Sequence, residues 1–353
     1  MDLVKLLRQY GQSVWLDGFE RGWINHGLLQ RYVDDGIGSI GSDFESLQKA
    51  INGREYDRDF NILSQKAINQ TAKSDYENLV VRDLQLAADL LKPTYSQNQG
   101  RDGYVQVDLP PDVLVQAKTA IAEAQKIWRL VGWRNLMLRI PATPAMLPVI
   151  ETLIAYGINI NATLVFTQVR YEQVFYAYLK GLELLDQQNE SINEVACFAS
   201  FSIFQWDSVL VPPLEPISLG ITQARMLYQH SQKLHHSDRW RVFKARANPL
   251  RLVWDCIGSQ PDEIWRYIQF LEAPETSIVL SPLTLERCNE IALLHLNNLQ
   301  NTEQMMKQLV PLGIDLDQII DQLTNEAIER SLRSFDQLLA AIDQKKMQLN
   351  QST

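Results

Sequence analysis

Three observations predict an α/β chain closed into one (β/α)8 TIM barrel with an extra C-terminal helix. Short strand-like segments alternate with helical ones, eight such segments can be counted, and no GxGxxG or P-loop motif marks an open nucleotide-binding sheet. Strands separated by helices pair in parallel through right-handed crossovers, and eight units of this kind close most economically on themselves. At 353 residues the chain has the length for a single barrel domain spanning 1–353, because such barrels commonly exceed about 250 residues.

Composition narrows the function classes. With 46% hydrophobic and 21% charged residues the chain can bury a large core and is not a disordered one. A net charge of −9 and a pI near 5.2 argue against nucleic acid as a partner, although an acidic protein can still hold one phosphate locally. Cys197, Cys256 and Cys288 are far apart and show no CxxC or Cys/His spacing, so neither a disulfide framework nor a zinc site is expected. Reduced, buried thiols in a cytoplasmic protein are the expectation. The first sixteen residues mix Asp2, Lys5 and Arg8 with leucines and do not read as a signal peptide. Nowhere do about 18 apolar residues run together, so no membrane span is expected.

The elements follow in order. Leu3, Leu6 and Leu7 mark a short amphipathic helix, and Ser13 to Asp17 a strand that ends in a carboxylate. Phe19 to Val33 reads as one helix, Asp34-Asp35-Gly36 as a turn, and Ile37 to Ile40 as a second strand followed by Gly41-Ser42-Asp43. Phe44 to Leu91 is helical in pattern, with Leu84, Ala87, Ala88 and Leu91 at i, i+3, i+4, i+7, and Pro93 is expected to stop it. Tyr104 to Leu109 alternates as a strand and is closed by Pro110-Pro111, after which Asp112 to Val131 is a helix. Asn135 to Pro141 is the fourth strand. A helix from Ala145 to Tyr156 then ends at Gly157, which suits a C-cap.

Ile158 to Phe166 is the fifth strand, Tyr171 to Leu185 a helix, and Val195 to Phe204 the sixth strand. A loop containing Val211-Pro212-Pro213 precedes a helix from Ile221 to Lys233. Trp240 to Arg246 is taken as the seventh strand, Pro261 to Phe270 as a helix, and Ser277 to Pro282 as the eighth strand. From Leu285 onward the pattern is helical, and Leu338, Leu339 and Ile342 mark a last amphipathic helix. His235-His236 reads as a loop pair rather than a metal site, and Trp128, Trp133, Trp254 and Trp265 as core or interface residues.

In such barrels the chemistry is built from the C-terminal ends of the strands. Those ends carry Asp17, Ser42, Asp43, Asp108, Arg139, Asn161, Thr163, Ser200, Ser202 and Ser281, with Lys244 and Arg246 on the seventh strand. Arg139 is the anomaly, a strong cation inside an apolar strand. An unpaired buried charge costs several kcal/mol, on the order given for ion desolvation, so acids or an anionic ligand must answer it. One account has surrounding carboxylates holding it ionised for structural reasons. The other is a pocket for a small polyol or sugar phosphate.

At several points the residues resemble those of the transaldolase family, in its bacterial and plant-like branch, over nearly the whole chain. Gly11-Gln12-Ser13-Val14-Trp15-Leu16-Asp17 resembles its opening strand, and Asp35-Gly36-Ile37 with Lys49-Ala50-Ile51 the flanks of its second-strand motif. Asp83-Leu84-Gln85, Ala87, Ala88 and Asp89, then Pro93 and Tyr95, resemble the helix before strand three. Asn135, Ile140-Pro141-Ala142-Thr143, Gly157 to Leu164 and Gly313-Ile314-Asp315 are similarly close.

The resemblance implies a barrel and a reaction: transfer of a dihydroxyacetone unit between sugar phosphates through a lysine Schiff base, with no cofactor. Arg139 occupies the position of that lysine, and a guanidinium with a pKa above about 12 cannot serve as the amine. By the same resemblance Asp17 matches the general acid/base aspartate, and Asp108 replaces a glutamate that acts through water. Only Ser42 of the second-strand Thr-Ser-Asn-Pro motif is kept in Gly41-Ser42-Asp43-Phe44. Asn161 and Thr163 match substrate- and water-positioning residues, Ser200 matches the sixth-strand serine, and Gln205 lies where the family has a phosphate-binding arginine.

The expectation is a transaldolase-like protein of carbohydrate and pentose phosphate metabolism. It would bind a sugar or sugar phosphate without Schiff-base turnover, as a pseudoenzyme or regulatory protein, with a homo-oligomer or protein partner left open. The alternative is an active enzyme using Asp17 and Asp108 with Arg139, or with Lys244 as a relocated amine.

Overall fold

The computed structural model describes residues 2–66, 71–208, 219–270, 273–290 and 316–351. Eight strands close into a barrel in sequence order: β1 (Ser13–Asp17), β2 (Ser39–Ser42), β3 (Tyr104–Asp108), β4 (Leu136–Pro141), β5 (Ile160–Thr163), β6 (Cys197–Ser202), β7 (Arg251–Asp255) and β8 (Ser277–Leu280). β2 pairs parallel to β3, β5 to β6, β6 to β7 and β7 to β8. Helices occupy the crossovers, and Leu316–Gln351 forms the additional C-terminal helix. The predicted (β/α)8 class and the extra helix are therefore both present. Among the described residues no helix is long and apolar enough to cross a membrane.

By its contacts the chain divides into two compact units. One comprises Met1–Trp15 with Arg139–Ala327, the other Leu16–Leu138 with Ile328–Thr353. In the first, Trp15 of β1 and Phe198 of β6 meet edge to face, with ring centroids 4.9 Å apart. β1 and β6 are not neighbours in the strand order, so this contact runs through the barrel interior. Beside it the Arg251 guanidinium lies over the Phe198 ring at 5.2 Å. These contacts fix which face of β6 and β7 points inward.

In the second unit a buried polar network holds the helix that follows β1. Arg21, 4% exposed, donates through Nε to Asp83 and through Nη1 to Asp59 at 2.6 Å, while Tyr56 Oη donates to the other Asp83 oxygen at 2.7 Å. Burial pushes the Asp83 carboxyl up to about 6, against the pull of the Arg21 charge and the Tyr56 hydroxyl. The C-terminal helix belongs to this unit from Ile328 onward. Phe335 packs at a tilt against Phe44 and edge to face against Tyr76, Lys345 reaches Asp57 at 2.6 Å, and Lys346 reaches Asp75 at 2.7 Å.

Several sequence expectations are corrected. The helix expected from Phe19 to Val33 is two, Arg21–Asn25 and Leu28–Asp34, broken at Gly27 in the left-handed region (φ +69°). β2 starts at Ser39 rather than Ile37, because Ile37 N still bonds Tyr32 O at 2.9 Å and closes the preceding helix. The helical stretch after Phe44 is Phe44–Ile51, Asp57–Lys66 and Ala72–Gln97. Pro93 lies inside the last of these and does not stop it. A mid-helix proline costs ~3 kcal/mol, but Leu84, Ala87, Ala88 and Leu91 are fully buried, and Tyr95 meets Tyr104 of β3 edge to face at 5.3 Å, so packing carries the helix past it.

The segment from Asp112 opens as a 3₁₀ turn, Pro111–Val115, before the helix Ala117–Val131. β5 and β6 are shorter than read, since Ile203–Ser208 turns straight into a helix after β6. The largest correction concerns the seventh strand. Trp240 to Arg246 is a short helix, Asp238–Arg241, capped by Ser237 and continued by turns in which Lys244 N bonds Trp240 O and Ala247 N bonds Phe243 O. Trp240 and Phe243 are buried while Val242 is exposed, a spacing of three that belongs to a helix. β7 is Arg251–Asp255 instead. His235 ends the helix Leu219–His235, tucked beside the Phe175 and Trp240 rings, and burial pulls its imidazole down to about 4. Val211-Pro212-Pro213 and Gly313-Ile314-Asp315 lie outside the described residues.

Candidate functional site

The predicted residues fall into two groups, one in each compact unit. In the unit containing β2 and β3, Asp17 is the last residue of β1, Ser42 of β2 and Asp108 of β3. Ser42 is buried, and both acids are partly exposed. Asp43 is the N-cap of the helix after β2: its carboxylate accepts from Ser46 N at 2.8 Å and from Ser46 Oγ at 2.7 Å. Gly18, at φ +94°, lies where a Cβ would come within 3.2 Å of Ser46 Oγ and 3.7 Å of Asp43 Oδ2, and Phe19 N bonds Gly41 O at 2.9 Å. The ends of β1 and β2 are thereby laced together, with Asp17 beside the capped turn. Ser42 stands opposite Val107, which places Asp108 one residue beyond it.

In the other unit, Arg139 lies in β4 two residues before its end and is 9% exposed. Asn161 is opposite Phe198 in the β5–β6 register, and Ser200 Oγ donates to Asn161 Oδ1 at 2.8 Å. Both side chains are buried, on the inward face that Phe198 defines. Thr163, two residues on, shares that face by alternation, and its carbonyl accepts from Ala142 N at 2.7 Å, joining the ends of β4 and β5. The next residue, Leu164, takes φ +56°, a left-handed conformation that costs a non-glycine residue roughly 1–2 kcal/mol. Val165 N holds it there through Ser200 O at 3.1 Å. Strain of this kind clusters at functional turns.

Lys244 and Arg246 are not brought to this rim. Both are exposed and precede β7, where Asn248 Nδ2 bonds Val195 O just ahead of β6, and Arg246 forms an ion pair with Asp186 at 2.9 Å. They belong to the end at which β6 and β7 begin. With the seventh strand relocated, its C-terminal residue is Asp255, directly opposite Ser202. Ser202 Oγ donates to Asp255 Oδ2 at 2.8 Å, and Ile257 N donates to Oδ1 at 3.0 Å. Asp255 is the functional candidate that the sequence reading missed. A signal was available: Arg251-Leu-Val-Trp-Asp255 follows Pro249 and ends in an acid, as Ser13-Val-Trp-Leu-Asp17 does.

All three cysteines are free and buried. Burial, reinforced by negative charge from Asp255, Asp207 and Glu263, pushes the Cys256 thiol well above its ordinary range. Such a thiol does not act as a nucleophile. The chemistry available at the strand ends is therefore that of carboxylates, hydroxyls, one amide and the Arg139 guanidinium.

The comparisons with known proteins agree with this architecture. The model of the Transaldolase/Fructose-6-phosphate aldolase family matches residues 14–342. A transaldolase of Trichodesmium erythraeum is 30% identical, over 97% of each chain. Transaldolase 2 of Nostoc punctiforme is also 30% identical, over 96% of each, and transaldolase 2 of Streptomyces avermitilis is 28% identical, over 99% of this chain and 98% of its own. A match that begins inside β1 and runs on into the C-terminal helix spans every strand of the barrel, and on that ground the chain belongs to the transaldolase/fructose-6-phosphate aldolase family.

Proposed function

We propose that this protein binds a small sugar or sugar phosphate at the C-terminal ends of its strands and does not carry out Schiff-base dihydroxyacetone transfer from β4. The observation behind this reading is Arg139, buried in β4, which by the sequence resemblance stands in place of the family's lysine. A delocalised guanidinium stays protonated and has no lone pair with which to attack a ketone. Its retained charge can still hold an anion or polarise a carbonyl. Asp17, Ser42 and Asp108 supply acceptors and donors suited to hydroxyl groups, as do Asn161, Thr163 and Ser200, whereas Asp43, expected to bind substrate, is occupied as a helix cap. Family membership supports a place in carbohydrate metabolism, and three buried free thiols support a reducing, cytoplasmic setting.

A second reading keeps catalysis but changes it, with Asp17 and Asp108 moving protons on a keto sugar. The partial exposure of both acids at strand ends favours it. A relocated amine at Lys244 is disfavoured by its place ahead of β7. The test is to incubate the protein with fructose 6-phosphate, reduce with borohydride and map lysine adducts by mass spectrometry. The expected result is no adduct on any lysine, with ligand binding retained. An adduct on Lys244 or any other lysine would overturn the reading. Turnover of fructose 6-phosphate without an adduct, abolished in Asp17→Asn, would establish the second reading instead.

A further inference from the structure

We infer that Arg21 and Tyr56 are positioning residues for Asp17, acting through the short turn that joins β1 to the helix after it. The inference deepens the sugar-binding reading above, on which its binding arm rests, by naming what holds one acid of that site in place. The turn has no slack. Asp17 ends β1, and only Gly18, Phe19 and Glu20 separate it from Arg21. Gly18 takes φ +94°, and a Cβ there would meet Ser46 Oγ at 3.2 Å. Phe19 N donates to Gly41 O at 2.9 Å, while the Phe19 side chain is 1% exposed and meets Trp23 edge to face at 6.0 Å. Glu20 caps the helix Arg21–Asn25 and accepts from Gly22 N. A displacement of Arg21 must therefore break one of these contacts or be passed back to Asp17.

Arg21 is fixed twice, by its main chain and by its side chain. Its backbone N–H donates to Tyr56 Oη at 3.1 Å, and that hydroxyl donates to Asp83 Oδ2 at 2.7 Å, so one buried oxygen ties the turn to the network. The guanidinium donates through Nε to the other Asp83 oxygen and through Nη1 to Asp59 Oδ2 at 2.6 Å, and it lies 5.0 Å from the centre of the Tyr56 ring. Arg82 holds the second Asp59 oxygen. These anchors stand on or beside the helices Asp57–Lys66 and Ala72–Gln97, which carry none of the strand-end residues. Stability alone does not call for such an arrangement, since well-packed apolar side chains often replace a buried ion pair at no loss. What the hydrogen bonds add is direction, because a satisfied polar network admits one arrangement of its members where apolar contacts admit several.

The test is a double-mutant cycle on ligand binding, run on the full chain with fructose 6-phosphate by calorimetric titration. Tyr56→Phe removes one oxygen and keeps the ring. It is expected to weaken binding about tenfold, the scale of one hydrogen bond to a charged group, and to lose that effect in the Asp17→Asn background, because the change acts through Asp17. With no ligand present it is also expected to move the NMR resonance of the Asp17 carboxyl carbon, assigned by its absence from Asp17→Asn. Ile127→Ala, which opens the buried face of the helix Ala117–Val131 in the same unit, is expected to lower the melting temperature while leaving affinity and resonance unchanged. No loss in Tyr56→Phe, an equal loss in both backgrounds, or an equal loss in Ile127→Ala would reduce the network to a structural role and overturn the inference. Should Tyr56→Phe fail to fold, Asp59→Asn, which loosens the Arg21 side chain, is read in the same way. If the wild-type protein does not bind fructose 6-phosphate, the sugar reading falls and the resonance alone decides: an Asp17 signal unmoved in Tyr56→Phe overturns the positioning role as well.

Discussion

Arg21 shows what a single buried charge demands. Its guanidinium is 4% exposed and is met by Asp83, by Asp59 and by the Tyr56 hydroxyl acting on Asp83. Removing one partner from such a group leaves an uncompensated buried charge, which costs about 3–5 kcal/mol, more than the pair itself is worth. Arg21→Ala is therefore expected to lower unfolding stability by ~3 kcal/mol or more, read from urea denaturation followed by circular dichroism. An unchanged midpoint would sink this account. Arg246→Ala, which breaks an exposed pair with Asp186, is expected to leave the midpoint where it is. Arg139 was legible in the sequence because its surroundings in Leu-Met-Leu-Arg-Ile are apolar. Arg21 was not, since it sits in a segment rich in polar residues and its acids lie 38 and 62 positions away.

Among the elements, those with a strong local period were legible and those decided by a neighbour were not. β1, β3, β4 and β8 lie where alternation and their prolines or acids place them. The seventh strand was misread because Trp240, Val242 and Lys244 imitate alternation, while the buried pair is Trp240 and Phe243. Pro93 was misread because the argument from proline is local, whereas the helix is held by Leu84, Ala87, Ala88 and Leu91 and by Tyr95 against β3. Gly181 belongs at the same scale. It lies within the helix Gln168–Gln187, and a Cβ there would meet Ile154 Cβ and Cγ2 at 2.6 Å and Glu151 O at 2.7 Å in the helix Leu147–Ala155. Gly181→Ala gains about 1 kcal/mol of helix propensity and loses roughly 1–3 kcal/mol to overpacking. The expected sign is a lower melting temperature. A higher one would show that the two helices separate at no cost.

At the scale of the whole molecule, the two ends of the chain return to elements far from them in sequence. Leu3 N bonds the Asn289 side chain at 2.9 Å, and Ser13 N bonds Thr276 O at 3.1 Å. The C-terminal helix returns to the elements after β2, where Phe335 packs on Phe44 at 5.0 Å and on Tyr76 at 5.3 Å. Phe44 directly follows the Ser42-Asp43 turn, so this aromatic cluster supports a candidate site segment from behind. Phe335→Ala is expected to cost about 3–5 kcal/mol, measured by denaturant unfolding. A loss below about 1 kcal/mol would mean that the helix is merely appended.

The sequence by itself determined the class of fold, because alternation of strand and helix periods over eight units is a local signal summed over a long chain. It also determined that Asp17, Asp108 and Arg139 close or lie within strands, since the boundaries of β1, β3 and β4 are written in their own residues, whereas the bounds of the strands carrying Ser42, Asn161, Thr163 and Ser200 were moved by the structure. Only the tertiary structure decided that Lys244 and Arg246 precede β7, that Asp43 is occupied as a helix cap, and that Asp255 stands opposite Ser202. Those facts depend on strand register and on which residues a segment buries, and both are set by neighbours remote in the chain.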